Sequence, residues 1–339
     1  MNKLNFLDIN DVNIDKWAKF VEDHPRGNVF HLPGIYYAYN KTKNYKSILI
    51  YLEDNEGNTL GMLISVIKHN LFYPLNKLTE RSEVYGDILV LNENPIFKSA
   101  IIRKYIDVIS SKAIYSIFKN LYIQEELDKT IFLENSFIYE KHLNIRVDLR
   151  CGLNDLWKGI KRNRKDGINK GKRQGFVFEE LNEPDLDQFN MLVKEVYRNI
   201  GLPFPDKTFY IALNNELKPY VKWLSLSLDR SPIIILLGLT FKGVFYAFII
   251  GITKNPKILN LRPVDFFYWE VYKWCLANNY HTFDWMGAGK PDEEYGVRDF
   301  KIQYGGALLE TGRYIKLHKP LLYKSAEFAL GIWRKIKRA

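Results

Sequence analysis

Cysteine is scarce: Cys151 and Cys275 are the only two in 339 residues, with no CxxC pair and no Cys/His cluster. That spacing excludes a disulfide framework and a structural zinc site, so no metal is expected and a reducing cytoplasm fits best. Low-complexity tracts are missing as well. The most apolar stretch, Pro232 to Thr253, is interrupted at its middle by Lys242-Gly243, where a charge would be costly in hydrocarbon, so it reads as a hairpin and not as a membrane span. The first residues, MNKLNFLDINDVNIDKW, lack the continuous apolar core of a secretion signal. No GxSxG elbow, Walker A loop or HExxH pair occurs, which disfavours covalent, nucleotide-hydrolysing and metal mechanisms. Long charged heptads are also absent, so no coiled-coil arm is expected.

What is present points to a folded chain of more than one core. The composition is 47% hydrophobic and 15% aromatic, far from the signature of disorder, and the length exceeds what one core usually fills. The formal net charge of +10 and the pI near 9.2 favour phosphate-bearing partners: tRNA, a nucleotide-sugar diphosphate or anionic lipid. Charge alone does not choose among them.

Two hairpins are legible. Ser47 to Glu53 and Thr59 to Lys68 flank the turn Asp54-Asn55-Glu56-Gly57-Asn58, and Ile233 to Phe241 and Val244 to Thr253 flank Lys242-Gly243; both pairs are rich in β-branched and aromatic residues. Each is followed by a proline-started helix and a strand. The first such pair is Pro95 to Phe118 with Asn120 to Gln124, and the second is Pro263 to Asn278 with Thr282 to Met286. Proline suits a first helical turn, where its missing N–H is not needed. The recurrence implies two related α/β modules, each a mixed sheet flanked by helices, over residues 1–150 and 151–339.

Chemistry-bearing residues concentrate in the second module. From Asp284 to Gly306 the chain reads DWMGAGKPDEEYGVRDFKIQYGG, with glycines that let backbone approach a ligand and with Arg298 and Lys301 three apart, on one face of a helical turn. A basic segment precedes it. Between Trp157 and Gly175 lie Lys161, Arg162 and Arg164 among further cations, with Leu153, Trp157, Ile160 and Ile168 near helical spacing; this is a phosphate-binding helix face or simply a solvated one. Gly159, Gly167 and Gly171 each cost about 1 kcal/mol of helix propensity, so the helix is expected to be broken or ordered by a ligand. At the C-terminus, Pro320 to Ala339 puts Leu322, Ala326, Ala329, Trp333 and Ile336 on one stripe, suited to the second module or to an anionic membrane surface.

The Asp284–Gly306 stretch resembles the C-terminal signature of the Fem family, the aminoacyltransferases that build peptidoglycan cross-bridges within the GNAT superfamily. The resemblance spans nearly the whole chain and implies two tandem GNAT-like modules, each a mixed β-sheet flanked by helices. It implies aminoacyl transfer from aminoacyl-tRNA to an amine of a nucleotide- or lipid-linked cell-wall precursor, near the inner membrane surface and without a cofactor. In the family's Phe-Lys motif, matched by Phe300-Lys301, the lysine is the oxyanion donor. Tyr85-Gly86-Asp87 matches a turn that faces the substrate groove, and Asn28 to Pro33 with Tyr36 matches an early strand-to-helix segment. Tyr295 and Arg298 are then substrate contacts, Arg298 alternatively pairing with Glu293, Glu294 or Asp299. Asp284 relays the amine proton or is structural. Asp87 either meets substrate or forms its own turn, and His31 reads as structural because no nucleophile accompanies it. The alternative is an acyl-CoA-dependent N-acyltransferase acting on a nucleotide-sugar or polysaccharide. It lacks support at Lys254 to Pro263, where no glycine supplies a diphosphate loop.

Overall fold

In a computed structural model, which describes residues 4–69, 79–200 and 204–325, the chain divides into two compact units: residues up to Lys141 with those from Thr311, and His142 to Glu310. The first runs β1 (Asn5–Leu7), α1 (Ile14–Asp23), α2 (Pro33–Asn40), β2 (Tyr45–Glu53), β3 (Thr59–Lys68), β4 (Arg81–Tyr85), β5 (Leu89–Val90), α3 (Pro95–Ile109), β6 (Tyr115–Lys119), α4 (Glu126–Glu134) and β7 (Ile138–Glu140). The second begins with β8 (Leu143–Asp148), α5 (Gly152–Gly159), α6 (Arg162–Gly171), β9 (Val177–Glu180), α7 (Leu186–Ile200) and α8 (Lys207–Glu216). It continues through β10 (Val221–Leu228), β11 (Ser231–Phe241), β12 (Val244–Ile252), α9 (Pro256–Leu259), α10 (Pro263–Ala277), β13 (Thr282–Asp284), α11 (Gly296–Lys301) and β14 (Ala307–Glu310). Strand β15 (Arg313–Leu317) then returns to the first unit.

Each unit is built on a mixed sheet. Among the described residues the orders are β1-β2-β3-β4-β6-β15-β7, with β5 beside β3, and β14-β8-β13-β12-β11-β10-β9. The parallel pairs are β4 with β6 and β12 with β13, each joined by a crossover through a proline-started helix, α3 or α10. One face of the first sheet packs Leu63, Ile67, Val84, Phe118 and Tyr314 against Ile101, Ile102, Tyr105 and Ile109 of α3. In the second unit, Leu224, Leu236 and Phe283 pack with Phe267, Val271 and Tyr272 of α10. Local chemistry fixes the turns: Asp54 accepts from the N–H groups of Glu56 and Asn58, and Lys242-Gly243 closes its hairpin with both residues left-handed.

Several expectations are corrected. The domain limits 1–150 and 151–339 fail because β8 pairs with β13 and β14 while β15 pairs with β6 and β7; pairings between strands so distant in sequence leave no local mark. The helix read over Pro95–Phe118 stops at Ile109, and its strand is Tyr115–Lys119, not Asn120–Gln124. Neither glycine nor proline marks that break. The repeat itself is displaced by one strand. By sheet position β12 corresponds to β4, so the hairpin of β2 and β3 matches β10 and β11. Strand β10 escaped because its turn is Asp229-Arg230, both left-handed at φ 49° and 63°, without the usual glycine or asparagine. Most of the C-terminal stripe, from residue 326, lies outside the described residues.

His31 is structural, as expected. Its Nε2 donates to the Asp87 carbonyl, its Nδ1 accepts from the Asn28 N–H, and burial pushes its imidazole down to about 3 from 6.5. The folded chain therefore excludes a proton that the unfolded chain takes up between those values, and stability is lost as pH falls below 6.5. His31→Gln is expected to remove roughly one proton from this uptake, flattening the slope by about 1.4 kcal/mol per pH unit. Denaturant titrations of both proteins across that window check this, and equal slopes would contradict it.

Candidate active site

The dense stretch is a turn whose backbone is bound by side chains. Strand β13 ends at Asp284, fully buried, and the chain then passes through left-handed Met286 and Gly287 (φ 55° and 70°) to Gly289 (φ 73°). The Asp284 carboxylate accepts from Arg146 Nε at 2.7 Å, from Asn144 Nδ2 at 3.0 Å on both oxygens, and from the Met286 N–H at 2.8 Å. Asn144 Oδ1 accepts the Gly287 N–H at 3.0 Å, and the Leu143 carbonyl accepts that of Ala288. Asp284 is thus tied to fixed donors that hold the turn. Asn144 and Arg146 were missed in the sequence. Their signal was a strand, Leu143–Asp148, with polar residues at alternate positions, and register pairing puts Arg146 opposite Asp284.

The carbonyls of the same turn point to Lys301. Its Nζ donates to the oxygens of Trp285 (2.8 Å), Met286 (3.1 Å) and Gly287 (2.8 Å), which uses all three ammonium protons. Burial pushes this amine down to about 8, with the Asp284 charge opposing, while three carbonyl acceptors call for the protonated form. Donation to an oxyanion would require one carbonyl to be released. Arg298, on the same short helix, donates to the carbonyls of Lys290 and Glu293 and lies 4.0 Å from Asp299. Tyr295 is 40% exposed, and its ring lies where a Cβ on Gly289 would sit. Gly287 by contrast faces open space, a Cβ there being no nearer than 3.9 Å to His142 Nε2. Beneath the turn, Trp285 packs on Tyr268, Tyr272 and Tyr304.

The basic segment forms two helices, α5 and α6, and the glycines of α6 are packing residues. A Cβ on Gly167 would lie 2.4 Å from Asp265 Oδ2, and one on Gly171 would lie 2.5 Å from Phe266 Cβ. They let α6 approach α10, so the helix is neither broken at Gly167 nor in need of a ligand there. Arg164 turns inward. Its Nη1 meets Asp265 Oδ1 at 3.1 Å, its Nε donates to Gln303 Oε1, and its guanidinium lies 4.5 Å over the Phe300 ring. The buried Asp265 also holds Arg262 Nε at 2.6 Å and the Tyr304 hydroxyl at 2.5 Å. Lys161 and Arg162 remain exposed, so the expected trio divides into two surface cations and one interior ion pair.

In the first unit, Asp87 is buried and left-handed (φ 82°). Its Oδ1 accepts the Ile88 N–H, and its Oδ2 lies 3.7 Å from the buried Lys98. The Tyr85 hydroxyl donates to Glu83 and accepts from Lys119, and its ring stacks on Phe30.

The parallel pairing of β12 and β13 covers Val244–Tyr246 and Thr282–Asp284 only. From Ala247 to Ile252 the β13-facing edge of β12 has no neighbouring strand among the described residues. A bulge at the Leu237/Gly238 register shift places Phe248 as the extra residue in β12. Among the described residues no helix is long and apolar enough to cross a membrane, and no three His, Cys, Asp or Glu side chains are placed to hold a metal.

Similarity to solved structures follows this architecture. The chain is similar to FemX, with TM-score 0.70 and 12% identity over 94% of this chain and 99% of that one. It is similar to L-PGS from Bacillus licheniformis (TM-score 0.57, 15% identity, 96% and 97% covered). A tandem GNAT protein from the clavulanic acid biosynthesis pathway gives 0.58, 9%, 94% and 99%. No protein-family model matches the sequence, and no curated protein matches it. At these identities the likeness is one of fold: a Fem-like GNAT fold with two GNAT-like units.

Two measurements test the packing and bonding assigned here. Lys301→Met leaves three inward carbonyls without their donor and is expected to lower unfolding stability by about 3 kcal/mol, against less than about 0.5 kcal/mol for a surface lysine; urea titration distinguishes them. Gly171→Ala is expected to destabilise by about 1–2 kcal/mol despite alanine's helix propensity, because Phe266 blocks the methyl group. Gly159→Ala, with open space around it, is expected to be neutral or stabilising. Equal effects at the two positions would refute the packing role.

Proposed function

We propose that the protein is an N-acyltransferase of the Fem-like kind, moving an aminoacyl group from aminoacyl-tRNA to an amine of a nucleotide- or lipid-linked peptidoglycan precursor. The observation that carries this reading is the agreement with FemX over nearly all of both chains, joined to Phe300-Lys301 beneath a turn bound on every side. In the reaction the neutral amine attacks the ester carbonyl, a tetrahedral oxyanion forms, the carbon–oxygen bond to the ribose breaks, and the amine's proton ends on the released hydroxyl. Such chemistry needs orientation, worth up to about 7–11 kcal/mol in favourable cases, and oxyanion donors. The β13-facing edge of β12 beyond Tyr246, which has no neighbouring strand among the described residues, would receive an extended acyl or peptidyl chain by strand addition. Lys301 acts by holding the 285–287 carbonyls inward, so that the turn presents Gly287 to the substrate, and Tyr295 and Arg298 shape its rim.

The start of α10 bears on the donor. A diphosphate at a helix start needs free N–H groups and no competing anion. Here the first helical residue is Pro263, which has no N–H, and Asp265 in the first turn is itself an anion held by Arg164 and Arg262. That arrangement disfavours acyl-CoA and favours a polyanionic donor met by exposed cations such as Lys161 and Arg162.

The test offers tRNA charged with labelled amino acids beside acetyl-CoA, with a nucleotide-linked precursor as acceptor. Ribonuclease-sensitive transfer and none from acetyl-CoA are expected; saturable transfer from acetyl-CoA that ignores ribonuclease would overturn the donor. Lys161→Gln with Arg162→Gln is expected to raise the KM for charged tRNA and reduce its logarithmic salt slope by about 1.5, two phosphate contacts being lost.

A further inference from the structure

Strand alternation gathers a polar row on one face of the first sheet, opposite the face that carries Val84, Phe118 and Tyr314. Arg81, Glu83 and Tyr85 alternate along β4, and register pairs Tyr45 with Lys68, Lys68 with Arg81, Tyr85 with Lys119, and Lys119 with Arg313. The row therefore crosses five adjacent strands. At its centre Glu83 is 5% exposed. Its Oε1 accepts from Arg81 Nε at 2.7 Å, and its Oε2 accepts from Lys68 Nζ at 3.0 Å, Lys119 Nζ at 2.8 Å and the Tyr85 hydroxyl at 2.9 Å.

Three cations thus share one carboxylate, an excess of two positive charges, and that carboxylate already has four donors, about the number its lone pairs serve. Among the described residues Lys68 donates one hydrogen bond and Lys119 two, of the three each ammonium carries. The segment 70–78, between β3 and β4, contains no Asp or Glu. Burying like charges at this density costs stability unless an anion joins them. Tyrosine rings line the cluster, with Lys68 Nζ 5.0 Å from the Tyr45 ring and 5.2 Å from that of Tyr85, so a ligand here meets aromatic walls as well as charge. The Lys119 side chain is 25% exposed, against 19% for Arg81 and 10% for Lys68, which makes it the most exposed of the three cations.

We propose that Lys68, Arg81 and Lys119 form a binding site for a phosphate-bearing group, the diphosphate of the acceptor. The identity of that group rests on the acceptor reading above, whereas the anion site stands on the cluster itself. Burial, with the Arg313 charge adding to it, holds the Lys119 amine below its ordinary range, and a bound dianion would reverse that.

Calorimetric titration with inorganic pyrophosphate at constant ionic strength tests the site without any transfer reaction. Saturable binding in the sub-millimolar range is expected, weakened at least about tenfold by Lys119→Met and kept by Lys119→Arg. Glu83→Gln is expected to tighten binding severalfold by removing the competing carboxylate, a sign that structural damage would not give. Absence of saturation, unchanged affinity in Lys119→Met, or weaker binding in a folded Glu83→Gln protein would overturn the proposal, even if aminoacyl transfer proceeds normally. Intact pyrophosphate binding in a protein that transfers nothing from charged tRNA would support the site and sink the donor instead. Competition of pyrophosphate by uridine diphosphate assigns a nucleotide-linked acceptor, and competition by vesicles carrying a polyprenyl diphosphate assigns a lipid-linked one.

Discussion

The second unit depends on a division of labour between one buried anion and one ammonium. Where β13 stops pairing with β12, the Trp285 and Ala288 N–H groups still reach the Ile145 and Leu143 carbonyls of β8, but the Met286 and Gly287 N–H groups and the carbonyls of Trp285 to Gly287 need other partners. Left unpaired in a buried setting, each would cost on the order of 1–3 kcal/mol. Asp284 takes one N–H and, through Asn144, steadies another, while Lys301 takes three carbonyls. The two charges attract each other across the turn. From Ala247 the β13-facing edge of β12 has no neighbouring strand among the described residues, and the bonds of the turn fix where that pairing ends.

This changes what a basic residue in the sequence means. The chain carries ten more cations than anions, and composition alone suggests a surface field. Yet Arg164, Arg298 and Lys301 are turned toward an interior carboxylate or toward backbone carbonyls, and Lys98 is buried between Asp87 and Asp128. A cation next to glycines and an irregular turn is needed to satisfy carbonyls that no ladder reaches. Lys161, the N-cap of α6, and Arg162 in its first turn are instead exposed beside the α6–α10 seam.

The α/β character, the two hairpins, the proline-started helices and the irregular turn within Asp284–Gly306 were legible because each leaves a local mark: alternation, a turn residue, or a density of glycine and charge. The domain limits were not, since β8 and β15 find partners far along the chain and local pattern is silent about pairing. Turn chemistry misled at Asp229-Arg230, where residues that seldom adopt left-handed backbone do so. Individual roles were least legible. Lys301 stands out in the sequence for its neighbours, but only the positions of three carbonyls reveal that its protons are already committed.

Gly167 and Gly171 show the same limit from the other direction. Read along the helix, a glycine lowers propensity and suggests a break; read across to α10, the missing Cβ is the space occupied by Asp265 and Phe266. That close approach brings Arg164 onto Asp265, beside the Tyr304 hydroxyl, and the guanidinium onto Phe300, the residue before Lys301. The packing of α6 therefore steadies α11 from behind, and α11 carries both Arg298 and Lys301. A methyl group at Gly171 would push α6 away from α10 and loosen the support of a turn that Gly171 never touches.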